Sequence, residues 1–117
     1  MSQVSKRYRV HWVGDLFGID PNADNVDVFV DFEDGSRFVA TLFTQQNIRD
    51  LLERYEASGE CGGGQYMWAK NMIVMKEISA GAIHAAVASL IAAGELEHAF
   101  DGPFPIPRED RGGSPDR

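Results

Sequence analysis

Cysteine is nearly absent: the chain of 117 residues has one, Cys61. A disulfide within the chain needs two thiols and a multi-cysteine zinc site needs more, so both are excluded, and the usage agrees with a reducing compartment. Long apolar runs are also missing. The longest, Ala85 to Ala93, is far shorter than the ~20 residues a bilayer span requires and is rich in alanine. The amino terminus has no apolar core of the kind a signal peptide carries, so the expected location is the cytoplasm and no membrane partner is expected. Basic residues are few, with 11 Lys and Arg against 18 Asp and Glu, a net charge of -7. Nucleic acid is therefore not expected as a partner, because phosphate binding needs clustered cations. Proline is rare before residue 101, where four of the five prolines begin to appear.

What remains is ordinary: 44% hydrophobic and 25% charged residues describe a folded globular chain, and the length suits one domain. Lys6 to Val13 alternates, with Tyr8, Val10 and Trp12 on one side and Arg7, Arg9 and His11 on the other, which predicts a half-buried strand. Gly14 to Asn25 is turn-rich and predicts a long loop. Val26 to Thr44 holds two β-branched and aromatic runs around Asp34-Gly35 and predicts a hairpin. A three-residue loop with Gly35 in the left-handed position sets Val30 opposite Phe38, Val28 opposite Ala40 and Val26 opposite Leu42. Asp31 then faces Arg37 as a cross-strand ion pair.

Thr44 precedes a helical pattern, Ile48, Leu51, Leu52 and Tyr55, with Gly59 placed to end it. Tyr66 to Ile78 predicts a strand, a tight turn near Lys70-Asn71 and another strand. Ser79 caps a second helix running to about Ala93, with Ile83, Val87, Leu90 and Ile91 as its core stripe and alanines widening its apolar surface. The expected fold is α+β: an antiparallel sheet of about five strands with two helices packed on one face, in the order β-β-β-α-β-β-α. Residues 1–100 form the single domain, and residues 101–117 a disordered tail rich in proline and glycine.

The acids are unevenly placed. Asp15, Asp20, Asp24, Asp27, Asp31, Glu33 and Asp34 fall in one stretch with no Lys, Arg or His, so this stretch equals the whole net charge. Such a field steers a basic partner, and Leu16, Phe17 and Ile19 within it suit the desolvated anchors of an interface. Solubility and turn formation also account for Asp in such a stretch.

Other constellations carry weaker chemistry. Asp20, Asn22, Asp24 and Asp31 match part of a calcium-loop spacing, but Asn25 stands where glycine is usual and a strand follows instead of a helix. No metal site is expected. Cys61, in Glu-Cys-Gly-Gly-Gly-Gln, lacks the sequence context of a cysteine hydrolase, and no catalytic residue or cofactor is assigned. The glycines read as a hinge. Tyr66, Met67, Trp68, Met72 and Met75 form an aromatic and methionine cluster read as core, with a ligand pocket or interface as the alternative. His84 is expected at the core edge, and Lys6, Arg7 and Arg9 as partners of the chain's own acids.

The stretch Asp34-Gly35-x-x-Phe38-x-Ala40-Thr41-x-Phe43-Thr44-x-x-Asn47-Ile48-x-x-Leu51, followed by Trp68-Ala69-x-Asn71-Met72-Ile73-Val74, resembles a group of small uncharacterised bacterial α+β proteins. The shared positions are turns, caps and core, so the resemblance implies a fold and no catalytic residues. In size, acidity and lack of a catalytic motif the chain is also similar to immunity proteins of polymorphic toxin systems. The expected function is non-enzymatic binding of a basic toxin domain through Asp15, Leu16, Phe17, Ile19, Asp20, Asp24, Asp27 and Asp31. The alternatives are a small thiol-dependent or metal-responsive enzyme, and a homodimer built on the alanine face of the second helix.

Overall fold

In the computed structural model the described residues are 7–13 and 25–108. They form a sheet of β1 (Tyr8–Trp12), β2 (Val26–Phe32), β3 (Ser36–Thr44), β4 (Met72–Met75) and β5 (Asp101–Pro105). Between them lie α1 (Gln45–Ser58), the short α2 (Glu60–Gly64), α3 (Ala80–Ala92) and α4 (Leu96–Ala99). The class is α+β, as the sequence predicts. Among the described residues no helix is long and apolar enough to cross a membrane.

The hairpin of β2 and β3 has the register set by its loop. Val26 pairs Leu42, Val28 pairs Ala40, Val30 pairs Phe38 and Asp31 pairs Arg37. Gly35 sits at φ +92°, where a side chain would be strained, and its N–H donates to Phe32 O at 3.0 Å. β1 lies antiparallel on the other side of β2, with Arg9 opposite Asp31 and His11 opposite Phe29. Thr44 then caps α1, its side chain accepting from Asn47 N at 3.1 Å, and Gly59 closes the helix with a bond to Tyr55 O.

The far side of β3 departs from expectation. Tyr66–Ala69 forms no strand, and only Met72–Met75 of the predicted pair joins the sheet, parallel to β3. A parallel neighbour requires a crossover, which α1 and α2 supply. The fifth strand comes instead from the segment expected to be a disordered tail: Asp101–Pro105 pairs antiparallel with β3, and Ile106 beyond it is buried. Because β2 occupies one flank of β3, β4 and β5 divide the other, taking Thr41–Thr44 and Ser36–Val39 respectively. Asn71, at φ +52°, sits where they meet; its carbonyl accepts from Thr41 N and its side chain donates to Ala99 O. Lys70 and Asp101 close the junction with a 3.0 Å ion pair.

One face of the sheet carries the core. Val10, Val26, Val28, Val30, Phe38, Ala40 and Leu42 meet Ile78, Ile83 and Val87 of the α3 region and Leu96 and Phe100 around α4. Full burial of each Val, Leu, Ile or Phe side chain among them contributes about 1.5–3 kcal/mol. Of α1, only Asn47 is buried; Ile48, Leu51, Leu52 and Tyr55 are half-buried and stand outside this cluster.

Candidate protein-interaction surface

Six of the eight residues proposed from the sequence, Asp15, Leu16, Phe17, Ile19, Asp20 and Asp24, lie outside the described residues. The other two, Asp27 and Asp31, both lie on β2. Asp27 is exposed on β2, and one of its oxygens accepts from Thr41 Oγ1 at 2.8 Å across the sheet. Asp31 is only 7% exposed. Arg37 Nε and Nη2 donate to its two oxygens at 2.7 and 2.9 Å, His11 Nε2 lies 2.9 Å from Oδ2, and Arg9 Nη2 is 3.5 Å away. The Arg37 guanidinium also sits 4.8 Å from the centre of the Phe29 ring.

This corrects the assignment of Asp31 to a partner-binding set. A carboxylate buried with both oxygens engaged is an internal ion pair and not a contact surface. Burial alone would push its carboxyl up. The hydrogen bonds from Arg37 and His11 and their charges outweigh that, so the group titrates below its ordinary value of 3.8. The same commitment removes Asp31 as the closing ligand of the calcium-like loop.

At the hairpin turn Glu33 and Asp34 are exposed. Asp34 Oδ1 accepts from Ser36 N at 3.0 Å and Ser36 Oγ at 2.6 Å, a turn-stabilising pattern that holds the carboxylate at the tip. Beside it a cleft of about 410 Å³ is lined by Phe32, Asp34, Phe38, Leu96 and Glu97, among others. Its walls are mainly apolar and its charged groups are both acidic.

Of the basic residues expected to serve the chain's own acids, Arg9 does so through Asp31; Arg7 reaches Glu33 only by its main-chain N–H, at 3.4 Å, and Lys6 lies outside the described residues. His84, expected at the core edge, is exposed on α3 and stands edge-on to Trp12, ring centres 5.8 Å apart. Among the described residues His11 makes one side-chain hydrogen bond, to Asp31, and no hydroxyl or thiol is bonded to its ring. Cys61 is half-buried in α2, which is left-handed: Cys61, Gly62 and Gly63 all have positive φ and ψ. Three successive glycines make that conformation accessible.

The aromatic cluster is the largest departure. Tyr66 is 55% and Trp68 73% exposed, so the core reading fails for both rings, while Met67, Met72 and Met75 are half-buried. Tyr66-Met67-Trp68-Ala69 has no polar alternation to orient it, and only tertiary placement could decide which way the rings face. Comparison with protein-family models, curated proteins and solved structures returned no match.

Proposed function

We propose that this chain is a non-enzymatic protein-binding domain of the cytoplasm, an immunity-type inhibitor that neutralises a bacterial toxin by covering a basic surface. The observation that carries this reading is the separation of charge along the chain. Residues 15–34 hold seven acids and no base, and the remaining residues balance eleven against eleven. With Asp31 turned inward, six acids of this stretch remain to meet a partner, and among the described residues Asp27, Glu33 and Asp34 are exposed on β2 and the hairpin turn.

A concentrated acidic field raises the rate of encounter with a basic partner, and the apolar Leu16, Phe17 and Ile19 supply the contact that slows release. The test is binding to the product of the adjacent gene over a salt series, with Asp20, Asp24 and Asp27 changed to Asn. Association should slow by roughly tenfold or more in the triple variant and with rising salt, while dissociation changes less. Binding that is insensitive to both overturns the acidic-surface mechanism.

A further inference from the structure

We propose that the outer edge of β4, with Tyr66 and Trp68 in the segment leading into it, pairs with the same edge of a second copy of this chain. A sheet edge left open is a template for another strand, and natural sheets guard theirs with charge, proline or irregularity. The edges of this sheet differ in that respect. β1 carries Arg9 and His11, with Arg7 just before it. β5 carries Pro103 and Pro105, which cannot donate to a new ladder. β4 is Met72-Ile73-Val74-Met75, short but with no charge or proline within it; Lys76 and Glu77 follow it, and its one strand neighbour among the described residues is β3. Val74 is 53% exposed there, and Tyr66 and Trp68 present the residue types most enriched in interface anchors.

Charge selects a second copy as the occupant. A closed two-fold pair places identical surfaces together, so the patch must not repel itself. From Tyr66 to Glu77 the charged residues are Lys70, already paired with Asp101 at 3.0 Å, and the adjacent Lys76 and Glu77, whose charges are opposite. The acidic β2 lies two lanes away, roughly 10 Å at ~4.8 Å per lane, about one Debye length at 0.1 M salt. This edge is thus a place where two chains of charge -7 can meet. An antiparallel pair centred on Val74 would set Val74 against its own copy and Ile73 against Met75. A buried aromatic ring contributes ~150–250 Å² and these two are 55% and 73% exposed, so they offer roughly 200–300 Å² per copy before the strand edge is added. That is below the ~800 Å² per partner of a standard interface, so the dimer should depend on concentration.

Light-scattering mass of the full chain from about 10 μM to about 1 mM should rise from 12.9 kDa toward twice that value. Val74→Lys and, separately, Trp68→Ser should each raise the dimer dissociation constant about tenfold or more while leaving the melting curve of the monomer in place. Ala85→Arg, on the exposed alanine face of α3, should leave association unchanged. A wild-type chain that stays at 12.9 kDa throughout overturns the proposal. So does a dimer indifferent to both β4-side variants or abolished by Ala85→Arg.

Discussion

Asp31 is the residue whose surroundings do most to define the sheet face opposite the core. Its carboxylate holds Arg37 on β3, His11 on β1 and, more loosely, Arg9, so one charge ties three strands together. Arg37 is itself 8% exposed, and a buried cation deprived of its carboxylate is costly. Asp31→Asn should therefore lower the stability measured by urea unfolding at pH 7 by about 3 kcal/mol. The pH dependence follows from the lowered carboxyl. Its contribution is fully present above 3.8, where the unfolded chain's carboxyl is also ionised, and is lost as pH falls below that toward the folded value. The wild-type urea midpoint should fall through this acid range, and the Asp31→Asn variant should start lower and fall less steeply by the slope of about one proton.

At the scale of elements, α1 and the left-handed turn after it depend on backbone contacts that can be tested separately. A Cβ on Gly64 would stand 2.5 Å from Leu52 O and 2.9 Å from Glu56 N, both backbone atoms of α1. At Gly63 it would meet nothing within 4 Å, although φ is +71° there. Gly63→Ala should thus cost only the left-handed strain, roughly 1–2 kcal/mol, and Gly64→Ala distinctly more, because α2 must also move away from α1. Equilibrium unfolding of the two variants measures the difference; equal losses would show that the close approach contributes nothing. At the other end of the helix, Thr44→Ala removes the bond to Asn47 N and should cost about 1 kcal/mol, read from the same experiment.

Across the whole molecule, β3 is the strand on which the rest is assembled. It pairs β2 on one flank and both β4 and β5 on the other. Ending the chain after Phe100 would remove β5 and the buried Ile106, whose N–H donates to Gly35 O at 3.1 Å, and would open the first half of that flank. Truncation at this point should lower the thermal midpoint clearly and promote aggregation through the exposed edge. Ending the chain after Arg108 keeps β5 and Ile106, and should leave the midpoint close to that of the full chain. Equal midpoints for the two truncations would remove β5 from the stable fold.

Local sequence by itself determined the hairpin register, both long helices and the segregation of acid. These follow from short-range rules: alternation fixes the strand faces, Gly35 fixes the loop, Thr44 and Ser79 fix helix starts, and Asp31 opposite Arg37 follows from the count between them. Tertiary structure alone decided what long-range neighbours control. Pro103 and Pro105 made the chain after Phe100 look unfit for a sheet, yet an edge strand with one flank outside tolerates proline. The ion cluster around Asp31 includes His11 and Arg9, which the register of β1 places beside it, and that register cannot be counted from a turn as the hairpin's can. Trp68 is an apolar ring that sequence reasoning sends inward because burial is favourable, but only the packed molecule shows that the core closes with α3 and α4 and leaves the ring outside.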